Sequence, residues 1–214
     1  MKHIVLIFSI LLTLVSCNDK IDNILIIGDS ISGGYTPYLK SGLEGKALVA
    51  HNKGNAQHTG VGIEKLDEWI SDTIKWDIIV FNFGLHDLCY RHPDSELYGN
   101  RDKINGTLTH SPDEYQKNLD IIAGRLKKTG AKLIFVSTSY VPPEEGGRFE
   151  GDDLIYNERA RSVMNKHKIE YLDINPLSKE VHSTEGVGTD DVHFSKEGSR
   201  QLAEPIIERL LKII

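Results

Sequence analysis

Short apolar runs alternate with stretches whose apolar residues recur every three or four positions. Five runs read as buried strands: Ile24–Ile27, Ala47–Ala50, Asp77–Phe83, Lys132–Ser137 and Glu170–Asp173. Helical spacing marks Ile63–Asp72, Glu114–Thr129, Asp153–His167 and Lys196–Ile213. In the second of these, Leu119, Ile122, Ala123 and Leu126 share one face. Ser111-Pro112-Asp113-Glu114 forms its start and Gly130 its end. Five apolar strands separated by helices predict an α/β protein with a parallel, doubly wound sheet. No repeat or low-complexity tract interrupts the alternation. The one long connection, Leu88–His110, leaves the third strand and should overhang the carboxyl edge of the sheet.

The first residues follow a different pattern. Lys2 and His3 precede an unbroken apolar run, Ile4 to Val15, which is short for a membrane span and of the right length for a signal-peptide core. It ends in Leu14-Val15-Ser16-Cys17, which resembles a bacterial lipobox. On that reading residues 1–17 are a lipoprotein signal peptide and Cys17 carries the lipid. Residues 18–22 are a tether and residues 23–214 one catalytic domain in the cell envelope. With Cys17 modified, Cys89 is left without a disulfide partner and is expected to be a buried thiol. Net charge is −6, or −7 once the segment containing Lys2 is removed. With no basic stripe, nucleic acid is not an expected partner.

Candidate chemistry lies at the ends of this pattern. Gly28-Asp29-Ser30 follows the first strand, where open α/β sheets place their reacting groups. Asp190-Asp191-Val192-His193 precedes the last helix, and His193 alone among nine histidines has a carboxylate three residues before it. A serine is a weak nucleophile until a base takes its proton, and a histidine base needs a carboxylate to orient it. Ser30, His193 and Asp190 are therefore the expected catalytic set, with Asp191 the competing orienter. No zinc spacing such as His-Glu-x-x-His occurs, and His51, His58 and His92 are expected on the surface or in loops. Ser30 lacks the Gly-x-Ser-x-Gly setting of α/β-hydrolases, and Gly60-Val61-Gly62 lacks the third glycine of a dinucleotide loop. No metal or cofactor is expected.

Gly28-Asp29-Ser30, Asn52-Lys53-Gly54, Gly84-Leu85-His86-Asp87 and Asp190-Asp191-Val192-His193 together resemble the four blocks of the SGNH (GDSL-type) hydrolases. Tyr156-Asn157 and His193-Phe194-Ser195-Lys196-Glu197-Gly198 are similar to that family as well. The resemblance implies a three-layer α/β/α fold around a flavodoxin-like five-stranded parallel sheet, and ester hydrolysis through an acyl-Ser30 intermediate. It also implies an oxyanion hole made by the backbone N–H groups of Ser30 and Gly54 and a side chain of the third block, with Gln57 a competing register for Gly54. The third block departs from Gly-x-Asn-Asp: His86 stands where an asparagine amide is expected. A neutral imidazole can donate one hydrogen bond in its place, or the histidine can be structural; near neutrality it could also add a second pH limb. Tyr90, Arg91 and Arg101 in the long connection are candidate substrate contacts. The expected substrate is an O-acetyl ester of a carbohydrate. A lysophospholipid or short-chain lipid ester is the alternative, and a non-catalytic carbohydrate-binding lipoprotein the rival of another class.

Overall fold

The computed structural model describes residues 21–71 and 73–214; the signal-peptide reading, Cys17 and most of the tether lie outside them. In chain order the elements begin β1 (Asp22–Ile27), α1 (Ser30–Gly42), β2 (Ala47–His51), α2 (Thr59–Trp69) and β3 (Ile78–Phe81). A small ribbon of β4 (Tyr90–Arg91) and β5 (Thr107–Leu108) comes next, then α3 (Pro112–Lys127) and β6 (Lys132–Val136). The chain closes with α4 (Asp152–His167), β7 (Glu170–Leu172), α5 (Asn175–Glu185) and α6 (Lys196–Leu211).

All five expected strands pair in one parallel sheet of order β2-β1-β3-β6-β7. The chain builds outward from β1 to β2, then returns to place β3 on the other flank of β1. This reversal opens a crevice beyond the carboxyl ends of β1 and β3. Helices cover both faces: α1 packs on α6 and α6 on α5, while α3 packs on α2 and α4. Ile24–Ile27 and Ile78–Phe81 are buried throughout, as strands covered on both faces must be. Leu119, Ile122, Ala123 and Leu126 of α3 meet them from one layer, and Leu202, Ala203, Ile206 and Leu210 of α6 belong to the same core. Each large side chain buried this way stabilises by roughly 1.5–3 kcal/mol.

Helix boundaries follow capping chemistry. Ser111 and Glu114 form a reciprocal capping box with Pro112 in the first turn of α3. Two helices depart from the periodicity reading. The segment carrying Gly33, Gly34 and Pro37 folds as α1, because the Asp29 carboxylate caps it and Ile31, Tyr35 and Leu39 bury one face. Asn175–Glu185 also folds as α5, with Pro176 in its first turn. β1 begins at Asp22, one residue into the expected tether, where it pairs with Ala47.

At the carboxyl edge the strands splay and the ladder runs out, leaving backbone groups that need other partners. Buried asparagines supply them. The Asn52 side-chain carbonyl accepts from the Gly28 N–H at 2.8 Å, and the Asn82 amide donates to the Val136 and Ser137 carbonyls at 2.8 and 3.1 Å. Asn157 accepts from the Thr138 N–H and donates to the Thr138 carbonyl. Asn82→Ala strips two buried carbonyls of their donor and should cost about 1–3 kcal/mol. The melting temperature should fall by roughly 2–4 °C per kcal/mol. An unchanged urea midpoint would show that the amide contributes nothing.

Candidate active site

Two separate loops at this edge bring Ser30 and His193 together, and a third carries His86. Asp29 caps α1 through the Ile31 N–H at 3.0 Å, which sets Ser30 at the first position of the helix with its side chain exposed. The amide dipoles at this terminus favour negative charge beside Ser30. Burial drives the Asp29 carboxyl above its ordinary range, against the Ile31 N–H and the charge of Arg148.

The Ser30 hydroxyl lies 2.8 Å from Nε2 of His193. The loop carrying His193 is pinned to the end of α5. The Val187 N–H donates to the His193 carbonyl, the Ser195 N–H to the Glu185 carbonyl, and the His182 ring to the Asp191 carbonyl. The carboxylate that meets the His193 ring is Asp191, where Asp190 was expected. One Asp191 oxygen accepts both the His193 backbone N–H at 2.9 Å and Nδ1 at 2.5 Å. A carboxylate readily closes this turn on an N–H two residues ahead, which brings the same oxygen to the ring. Asp190 is exposed and faces Gly188, where an added Cβ would lie 2.8 Å from its Oδ1. Burial pushes the Asp191 carboxyl up, but the two His193 hydrogen bonds and Arg101 outweigh it and hold the group below its ordinary value.

The third loop starts at Gly84, whose φ of +152° and contact with Thr138 leave no room for a Cβ. It presents His86 in a half-buried position. Nδ1 of His86 accepts from the Arg91 guanidinium at 3.3 Å. Burial pushes the His86 pKa down to about 3, helped by the charges of Arg148, Arg91, His58 and His193. The imidazole is therefore neutral near pH 7, so His86 adds no pH limb there. Next to it, Asp87 is fully buried: its carboxylate accepts from the Thr59 N–H, the Thr59 hydroxyl and the His110 ring. Asp87 thus ties the start of α2 to the end of the long connection.

Gly54 sits in an open turn at φ +76°, and Asn52 donates to its carbonyl at 3.3 Å. Gln57, the competing register, also has positive φ (+52°), and its N–H is donated to Asn55 at 2.8 Å. Among the candidate substrate contacts, Arg101 is spent on Glu145 at 2.5 Å and on the Tyr98 carbonyl, and Tyr90 packs edge-on against Phe149. Arg91 is engaged by His86 and by the Gly99 carbonyl. His51 departs from a surface position: it ends β2, and its Nε2 lies 2.7 Å from the Ser32 hydroxyl. His58 precedes α2 and packs edge-on against His110. Cys89 is buried and free.

Sequence reasoning missed a buried ion cluster behind the third loop. Glu145 accepts from Arg101 and Arg148 and from the Gly147 N–H, while Arg148 donates to the Leu85 carbonyl at 2.6 Å. Neither residue stands in a recognisable motif, and only the isolated Glu145-x-x-Arg148 spacing could have pointed to the pair. Among the described residues no cluster of His, Cys, Asp and Glu is arranged to hold a metal ion, and no helix is long and apolar enough to cross a membrane.

Residues 26–201 match the GDSL-like lipase/acylhydrolase family. The chain belongs to that family. Solved structures agree with the fold of this acylhydrolase domain. A lipase/acylhydrolase from Enterococcus faecalis superposes with a TM-score of 0.69 at 19% identity, covering 89% of this chain and 95% of that one. A carbohydrate acetylesterase from Sinorhizobium meliloti gives 0.67 at 14% identity, covering 90% and 100%. An acetyl xylan esterase gives 0.66 at 16% identity, with the same coverage of 90% and 100%. No curated protein matches the chain in sequence. The protein is a hydrolase of the GDSL type, with a sheet and helices arranged as in these esterases.

The lowered pKa of His86 has a consequence for this hydrolase that needs no substrate. An unfolded histidine titrates near 6.5, whereas folded His86 titrates at about 3. Protonation thus favours the unfolded chain, and the contribution to stability is present above about pH 6.5 and lost as pH falls toward 3. The urea midpoint of the native protein should fall relative to that of His86→Asn as pH drops from 8 to 4. A constant difference would show that His86 titrates normally.

Proposed function

We propose that the protein is an exported, lipid-anchored serine esterase that removes O-acetyl groups from carbohydrate. The contact of Ser30 with His193, itself held by Asp191, carries the reading. His193 takes the Ser30 proton as Oγ attacks the ester carbonyl, and Asp191 stabilises the imidazolium. The tetrahedral oxyanion accepts hydrogen bonds from the N–H groups of Ser30 and Gly54 and from Nε2–H of His86, each worth about 2.7–4 kcal/mol in comparable sites. Collapse breaks the ester C–O bond, and the alcohol leaves with the proton of His193. Water then attacks the acyl-Ser30, giving a proton to His193; collapse breaks the acyl–Oγ bond, His193 returns the proton to Oγ, and the carboxylic acid is released.

An acetylated sugar is supported by the esterases that share the fold, two of which act on acetylated carbohydrate by description. It is also supported by the polar long connection, which exposes the flat ring of Tyr98. The anchor rests on the Leu14–Cys17 pattern. Metabolic labelling with a fatty-acid analogue should mark the native chain and not Cys17→Ala; an unlabelled native protein rejects lipidation.

Ser30→Ala should abolish release of acetate from acetylated xylan. Asp191→Asn should lower kcat by about 10³–10⁴-fold, as loss of the orienting carboxylate does elsewhere. Asp190→Asn should leave kcat within a few-fold of native, since its carboxylate faces solvent. If Asp190→Asn were the crippled variant, Asp190 would be the orienter. Turnover that persists in Ser30→Ala would end the serine-esterase reading.

A further inference from the structure

We propose that Arg91 is a positioning residue that fixes the tautomer of His86, so that Nε2–H is always the hydrogen available to substrate. The inference rests on the reading of His86 as an oxyanion donor. A guanidinium has donors and no acceptor, so the nitrogen it touches must carry a lone pair. Arg91 Nη2 meets Nδ1 of His86 at 3.3 Å, which leaves the single proton of the neutral ring on Nε2.

The guanidinium is itself held in place. Arg91 pairs with Thr107 in the β4–β5 ribbon and bridges to Arg101, and its other terminal nitrogen donates to the Gly99 carbonyl. Gly99 has φ +72°, and a Cβ there would lie 3.0 Å from Arg91 Nη1. The turn therefore suits glycine on two counts, and one of them is the approach of this guanidinium. Arg91 thus joins the exposed Tyr98–Asn100 turn to the His86 ring. An asparagine amide has fixed N–H donors and needs no such partner. The histidine in this third block brings a tautomer to control, and Arg91 controls it.

The test compares Arg91→Met in the native and His86→Asn backgrounds, with an aryl acetate as substrate. In the native background kcat should fall roughly tenfold or more with KM nearly unchanged, because a misdirected donor is lost at the transition state. In the His86→Asn background the same change should cost much less. Gly99→Ala should act in the same direction by displacing the guanidinium. Nitrogen-15 spectra of the His86 ring should show one Nε2–H form in the native protein and altered ring shifts in both variants. Equal losses in the two backgrounds, or ring shifts unmoved by either variant, would overturn the assignment. If the shifts move but His86→Ala retains native kcat, Arg91 fixes the ring and it is the donor reading of His86 that fails.

Discussion

A parallel sheet satisfies its backbone through the ladder only while its strands stay side by side, and at the carboxyl edge they part. Here the shortfall is met by buried asparagine amides. Asn52 reaches from β2 to the turn after β1, Asn82 from β3 to the end of β6, and Asn157 from α4 to the segment beyond β6. A side-chain amide carries both donors and an acceptor, so it can replace a missing stretch of ladder without burying charge. The loops that leave this edge start from fixed points although no strand supports them. Precision at the reacting groups depends on that stitching, since donors and nucleophile act only when aligned.

The same edge organises charge. Glu145, fully buried, faces Arg101 and Arg148, and Arg148 extends to the Leu85 carbonyl. Replacing either arginine would weaken more than an ion pair, because the cluster fastens the long connection and the backbone beside His86 to one point. Asp87 does the corresponding work on the other side, joining Thr59 and His110. The long connection is thus held at its end by Asp87 and again at Arg101, while Leu97, Tyr98 and Ile104 stay exposed.

The central strands β1, β3 and β6 were legible because both faces of a parallel sheet are covered there and the runs are rich in Ile, Val, Leu and Phe. Ser30 and His193 were legible because strand ends and the start of the last helix are marked by local patterns. α1 was not, since Gly33, Gly34 and Pro37 weaken its propensity while the Asp29 cap and the buried face of Tyr35 and Leu39 override it. Asp191 was hidden by the three-residue spacing that singles out Asp190. Which carboxylate turns toward the ring is decided by the local turn, a geometric fact with no composition behind it. Glu145 and Arg148 were illegible for a related reason: their importance comes from burial, which depends on what folds over them.

His86 and His193 show how differently one side-chain type can be surrounded. His86 faces Arg91 and Arg148, and burial together with these cations keeps it uncharged. A ring that stays neutral can donate without competing for the proton that moves. His193 instead faces the Asp191 carboxylate at 2.5 Å, the partner that steadies the imidazolium in the proposed mechanism. Had the carboxylate and the guanidinium exchanged places, the ring beside Ser30 would resist protonation and the donor would become a second base. The exchange of asparagine for histidine in the third block is therefore compatible with the chemistry because the arginines come with it.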